Sequence, residues 1–176
     1  MARALVAGGA APVLAARSQA RVEALAAELG GLPFAIADVA RPATIRALVE
    51  PGDVLISTVG PFVRFGEPAV RAAIDAGAHY LDSTGEPPFI RAVFERYGFE
   101  ADAAGSGLLT AFGYDYVPGN AAGALALREA GERALSVDVG YFLGGAGSRP
   151  SGGTRASSAG LLAEPAYGFA GGRLVT

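Results

Sequence analysis

Five short apolar runs begin near residues 12, 32, 53, 79 and 108, and a segment of helical periodicity fills each interval. Intervals of 20–29 residues suit parallel βαβ units, because a parallel strand pair needs a crossover of about a dozen residues or more. The runs are nearly continuous in apolar residues, as in Asp53-Val54-Leu55-Ile56-Ser57-Thr58, which suits strands covered on both faces. The expected class is α/β, a Rossmann-type doubly wound parallel sheet.

Local signals place the elements. Strands are expected at residues 11–16, 32–37, 53–58, 79–82 and 108–112. Ser18 stands where a helix N-cap belongs, Val22, Leu25, Ala26 and Leu29 share one face, and Gly30-Gly31 closes that helix. Pro42 opens a second helix that buries Ile45, Leu48 and Val49, and Pro68 opens a third that buries Val70, Ala73 and Ile74 before Gly77 stops it. Pro87-Pro88 precede a fourth, with Ile90, Val93, Phe94 and Tyr97 inward and Gly98 as its end. A short helical piece at 101–104 leads to the last strand, and a further helix covers 119–127. Over residues 134–143 the pattern becomes alternating, with Leu135, Val137, Val139 and Tyr141 on one side, which predicts a half-buried antiparallel-type strand. A domain boundary is expected there: residues 1–130 as an incomplete dinucleotide-binding domain and 131–176 as the start of an α+β second domain. Residues 144–153 read as a Gly/Ser-rich loop, 154–162 as a helix and 173–176 as a strand.

The front of the chain lacks an expected unit. A dinucleotide-binding domain opens with a strand, a glycine-rich turn and a helix. Residues 2–7 read better as the last turns of that helix, with Gly8-Gly9 as its stop. The sheet is therefore expected to lack its first strand. In the strand order 3-2-1-4-5-6 that strand lies centrally, so its absence leaves two unpaired edges.

Composition removes several chemistries. Cysteine is zero and all 14 basic residues are arginine, which excludes thiolate sites, Schiff-base lysines and a Tyr-Lys dehydrogenase dyad. His79 is the single histidine, so no multi-histidine metal site can form within one chain, and no metal is expected. The net charge is −3 and no basic run exists, which argues against nucleic acid as a partner. No apolar stretch approaches the roughly 20 residues of a membrane span, and a cytoplasmic location is expected.

Candidate residues lie at the strand C-termini, where doubly wound sheets bind ligands. Arg17-Ser18 follow the first strand present, where an arginine favours the 2′-phosphate of NADP; the alternative is a surface arginine beside an N-cap. Ser57-Thr58-Val59-Gly60-Pro61 offers hydroxyls and a glycine for close backbone approach, or an ordinary turn. Asp82-Ser83-Thr84-Gly85-Glu86 can orient a nicotinamide ribose or substrate, or cap the next helix and answer its dipole. Tyr114 or Tyr116 can donate a proton with Asp115 setting its orientation, or form an aromatic packing corner. Pro118-Gly119-Asn120 opens a helix whose N-terminus can hold an anionic or polar group. His79, at the start of its strand, reads as structural.

These motifs together resemble the saccharopine dehydrogenase-like NADP-binding family. The resemblance runs through Pro12-Val13-Leu14-Ala15-Ala16-Arg17-Ser18, Ser57-Thr58-Val59-Gly60-Pro61-Phe62, Gly66-Glu67-Pro68 and Gly77-Ala78-His79-Tyr80-Leu81-Asp82-Ser83-Thr84-Gly85-Glu86. It continues through Ala111-Phe112-Gly113-Tyr114-Asp115-Tyr116-Val117-Pro118-Gly119-Asn120 and Ser151-Gly152-Gly153-Thr154-Arg155-Ala156-Ser157. The branch that it resembles includes trans-acting enoyl reductases. The resemblance implies NADP as cofactor, with Arg17, Ser18, Asp38, Val39, Ser57, Thr58, Gly60, Pro61, Asp82, Thr84 and Gly85 as its contacts, Asp38 and Val39 beside the adenine. It implies catalytic roles for Tyr114 and Asp115, hydride transfer to or from a C=C, C=N or C=O bond, and a small or lipid-derived substrate. It also implies a chain truncated at both ends, and a homo-oligomer formed through the second domain is a further expectation. Two other classes stay open: a non-catalytic Rossmann remnant or nucleotide-sensing module, and an extended-type dehydrogenase or redox-sensing regulator.

Overall fold

The computed structural model describes residues 1–114, 116–142, 168–170 and 173–175. Helix α1 (Ala2–Ala7) comes first and ends at Gly8, as its glycine pair predicts. Strand β1 (Leu14–Ala16), helix α2 (Gln19–Glu28) and strand β2 (Phe34–Ile36) then form one βαβ unit, with β1 and β2 parallel. Its core is Leu14, Val22 and Ala26, flanked by Ala2, Leu25, Leu29 and Leu32. An Arg3–Glu28 ion pair ties α1 to the far end of α2.

The second unit begins with helix α3 (Pro42–Arg46) and strand β3 (Val54–Ser57). Helices α4 (Phe62–Phe65) and α5 (Glu67–Ala76) lead to strand β4 (His79–Asp82). Helix α6 (Pro87–Ala92), a π-helical turn (Val93–Tyr97) and helix α7 (Gly98–Ala103) lead to strand β5 (Leu108–Leu109). Strands β3, β4 and β5 are parallel, with Ser57 opposite Asp82 in the register. The larger core gathers Val49, Phe62, Val70, Ala73, Tyr80, Phe89, Val93 and Tyr97. Gly77 at φ 68° closes α5 in the left-handed conformation that its position requires.

Among the described residues the two parallel sheets share no strand pairing. One holds β1 and β2, the other β3, β4 and β5. Among the described residues no strand lies between β1 and β3, so one edge of each is unpaired. What links the units is the turn after β2, where the Asp38 N–H donates to Thr44 Oγ1 at 3.0 Å.

Several sequence expectations are corrected. Gly98 does not end a helix: its φ is −57°, and the π-turn carries the chain on into α7. That turn also leaves Phe94 exposed while Val93 and Tyr97 stay buried. The strand expected at 108–112 leaves the ladder after Leu109, because Asp82 draws residues 110–112 into a turn. Helix α4 gave no sequence signal. Helix α8 (Val117–Ala130) is longer than the 119–127 expected. Residues 134–142 form no strand; Val137, Val139 and Tyr141 instead lie over the glycine positions Gly119 and Gly123 of α8. Strands β6 (Gly168–Ala170) and β7 (Arg173–Val175) pair antiparallel, so the strand expected at 173–176 is present through Val175. The expected loop at 144–153 and helix at 154–162 lie outside the described residues.

Candidate active site

The predicted residues fall into two groups. At the ends of β1 and β2, the pairing of Ala16 with Ile36 brings Arg17 and Ser18 beside Asp38 and Val39. Ser18 is the N-cap of α2, but its side chain makes no capping bond. The first internal bond there runs from the Val22 N–H to the Ser18 carbonyl. The N–H groups of Gln19, Ala20 and Arg21 therefore stay open among the described residues. Arg17 and Arg21 are both exposed and meet no carboxylate among the described residues. Arg21 was missed from sequence, although its spacing of four from Arg17 was there to be read. Asp38 folds back on its own turn: Oδ1 accepts the Ala40 N–H at 3.0 Å, and Arg41 stands 4.0 Å from Oδ2.

At the ends of β3, β4 and β5 the loops are bound to one another. Asp82 is 1 % exposed. Its Oδ1 accepts the N–H groups of Thr84 and Ala111, each at 2.9 Å, and its Oδ2 accepts the Thr110 hydroxyl at 2.9 Å. Thr84, equally buried, accepts the Glu86 N–H at Oγ1. Glu86 then reaches across to α4, accepting the Phe62 N–H at Oε1 and the Val63 N–H at Oε2, both at 2.9 Å. Gly113 lies against Ser83, close enough that a Cβ there would sit 3.3 Å from the serine Cβ. Ser57 is buried beneath this layer, whereas Thr58, Val59 and Gly60 are exposed, and the Gly60–Pro61 peptide is cis. Asp82 and Thr84, expected to touch ligand, are buried and hydrogen-bonded to the loops, and the exposed residues here include Thr58, Val59, Gly60, Phe112 and Tyr114.

Beneath this layer the Tyr80 hydroxyl is buried close to Asp82 and Ser57, but among the described residues it closes no hydrogen bond of normal geometry. Burial first, and then the charge of Asp82, push its ionisation far above the usual phenol range. His79 is structural, its Nδ1 accepting the Gly107 N–H at 2.9 Å.

The helix N-termini after β3, β4 and β5 are not open to an anion. Glu86 fills that of α4. Pro87 and Pro88 leave the first turn of α6 without two donors. At α8 the Gly119 N–H donates to the Tyr141 hydroxyl at 2.8 Å, and those of Val117 and Asn120 go to the carbonyls of Gly113 and Tyr116. The expectation that Pro118-Gly119-Asn120 can hold an anionic or polar group is met in its polar part, by the chain's own Tyr141 hydroxyl, a residue read from sequence only as a strand residue. Tyr114 is exposed, its ring edge-on to Tyr141 at 5.7 Å, and Asp115 lies outside the described residues. Among the described residues no cluster of His, Asp and Glu could hold a metal, and no helix is long and apolar enough to cross a membrane.

The family model described as the saccharopine dehydrogenase NADP binding domain matches residues 1–106. A Mycobacterium tuberculosis (strain H37Rv) protein carrying the provisional name trans-acting enoyl reductase is 40% identical over 117 residues, covering 64% of this chain and 28% of that protein. The Mycobacterium ulcerans trans-acting enoyl reductase is 38% identical over 109 residues, 60% of this chain and 26% of that protein. The match thus spans about a quarter of the length of these curated relatives. In fold, the chain is similar to apo saccharopine dehydrogenase (L-Glu forming) from Saccharomyces cerevisiae, with a TM-score of 0.55, 23% identity, and coverage of 67% of this chain and 26% of that one.

Proposed function

The chain belongs to the saccharopine dehydrogenase NADP-binding domain family, and from that premise we propose that it forms the cofactor-binding part of an NADP-dependent oxidoreductase. The observation that carries this reading is the N-terminus of α2, open among the described residues and flanked by Arg17 and Arg21, which pair with no carboxylate among them. Two guanidinium groups, the Ser18 hydroxyl and free backbone N–H groups suit the 2′-phosphate of NADP. Asp38 and Val39, at the neighbouring strand end, stand where the adenine would lie. The β3–β5 end suits the nicotinamide, which is uncharged in NADPH, and its ribose, because its helix N-termini are filled or lack donors and two of its carboxylates are buried. Contacts there would come from Thr58, Gly60, Pro61 and the backbone of Gly85.

When bound in its reduced form, the cofactor would supply the hydride. The chain's own residues would orient the ring and deliver a proton, with the exposed Tyr114 hydroxyl as donor and Asp115 setting its direction. The names of the relatives favour an activated C=C bond of a lipid-derived substrate as the acceptor; C=N and C=O bonds are the alternatives.

A second reading, a nucleotide-binding module without catalysis, is favoured by one observation: the sheet is split between β1 and β3. Titration of the chain with NADPH and NADH, followed by NADPH-oxidation assays on enoyl, imine and keto compounds, separates the two. Weak binding that prefers NADPH supports the cofactor reading, and turnover of one substrate class supports the enzyme. Binding without turnover favours the module. No binding, or equal affinity for the two nucleotides, overturns the NADP assignment.

A further inference from the structure

We propose that Glu86 is a positioning residue: from the loop after β4, its carboxylate caps the helix after β3 and so sets the shape of the exposed Thr58–Gly60 turn. This rests on the cofactor reading above for its functional meaning, but not for its structural test.

The need for such a cap follows from the sequence. Helix α4 has Pro61 as its N-cap, and proline carries no side-chain acceptor. The N–H groups of Phe62 and Val63 are then two of the orphan donors at a helix start. Phe62 is buried, so water cannot take up its N–H without opening the core. Glu86 answers both donors, one with each oxygen, from 24 and 23 residues away. An amide does this less well: the two N–H groups meet separate oxygens of Glu86, and a glutamine would turn its NH2 towards one of them or have to take both on its single oxygen.

Glu86 is itself held on both sides. Its N–H is fixed by Thr84 Oγ1, Thr84 by Asp82, and Asp82 by Thr110 and Ala111 of the next strand end. On the far side Phe62 packs on Phe89 with ring centroids 5.6 Å apart. The position of Thr58-Val59-Gly60 is thereby referred to three strand ends at once. Gly60 sits at this junction: a Cβ built there would lie 3.5 Å from the Phe62 ring and 3.9 Å from Glu86 Oε1.

The test compares the wild-type chain with Glu86→Gln, Glu86→Asp and a packing control, Ile74→Val. Amide exchange and chemical shifts are read by NMR, urea stability is measured alongside, and NADPH is titrated. In Glu86→Gln, exchange at Phe62 or Val63 should rise about tenfold or more relative to Ile74→Val, and the Thr58, Val59 and Gly60 signals should move. NADPH affinity should fall by about tenfold while Ile74→Val leaves it within error. Glu86→Asp, charged but one methylene short, should restore part of the protection and of the affinity. Unchanged protection at both amides, or loop signals that move equally in Ile74→Val, overturns the proposal. Altered loop signals with unaltered NADPH affinity reduce Glu86 to a structural cap and also overturn it. A wild-type chain that takes no NADPH overturns the cofactor reading instead, and the amide and loop signals then decide whether Glu86 sets the turn.

Discussion

The Asp82 carboxylate holds Ala111 in a left-handed conformation: Oδ1 accepts the Ala111 N–H at 2.9 Å, and Ala111 sits at φ 59°. A residue with a Cβ pays about 1 kcal/mol or more for that conformation. Ala111→Gly should therefore stabilise the chain by about 1 kcal/mol in urea unfolding. Asp82→Ala should cost about 3 kcal/mol, since three donors lose their acceptor. Asp82→Asn should cost far less. Its one oxygen can keep both N–H groups, and its NH2 can donate to Thr110, whose hydroxyl turns round to accept.

Tyr80→Phe should change stability at neutral pH by no more than about 1 kcal/mol, because the buried hydroxyl closes no hydrogen bond of normal geometry among the described residues. The pH dependence has a definite sign. Burial and the Asp82 charge raise the folded-state ionisation of Tyr80 above that of the unfolded chain. Its contribution is complete below about pH 10, where an unfolded tyrosine titrates, and is lost as pH rises above that. The alkaline loss of stability should be smaller in Tyr80→Phe than in the wild type, measured by urea midpoints at neutral and alkaline pH.

Arg17→Ala should lower NADPH affinity about tenfold or more and leave NADH affinity unchanged. Arg21→Ala should do the same to a smaller degree, since its spacing puts it one helical turn further along α2. Calorimetric titration with both nucleotides reads the ratio, and an equal loss for the two would remove the 2′-phosphate as the group recognised.

Gly66 and Gly98 should respond to alanine in opposite directions. A Cβ at Gly66 would overlap the Phe89 ring and stand 2.8 Å from the Phe62 carbonyl oxygen. Gly66→Ala should cost about 2 kcal/mol or more. Gly98 is helical and faces open space, so Gly98→Ala should stabilise by about 0.5–1 kcal/mol. Thermal melts of the two variants check this.

How much was legible in the sequence depended on whether a residue's role is local. Strand β4 was expected at 79–82 and lies at His79–Asp82, because its apolar core and the flanking Gly77 and Pro87 are all local signals. The proline-led helix starts at Pro42 and Pro87 were legible for the same reason. The end of β5 was not, since what stops it is the Asp82 side chain from a neighbouring strand. Helix α4 was hidden too: its cap comes from Glu86, and no pattern within four residues announces it. At the site, Arg17 could be nominated from its place after a strand. The roles of Asp82 and Glu86 could not, because a carboxylate that meets ligand and one that meets backbone N–H groups look alike in sequence.

Among the described residues the two halves of the divided sheet rest on cores of unequal size. The half that carries Arg17 spans α1 to β2 and rests on three buried side chains, Leu14, Val22 and Ala26. A unit below about 40 residues seldom holds itself together without a further constraint. A nucleotide phosphate gathered by Arg17, Ser18 and α2 would be such a constraint, so saturation by ligand and ordering of this half would be one equilibrium. The measured dissociation constant would then contain the free energy of ordering as well as that of contact. A substitution such as Val22→Ala, which touches no nucleotide, would weaken binding through the ordering part alone.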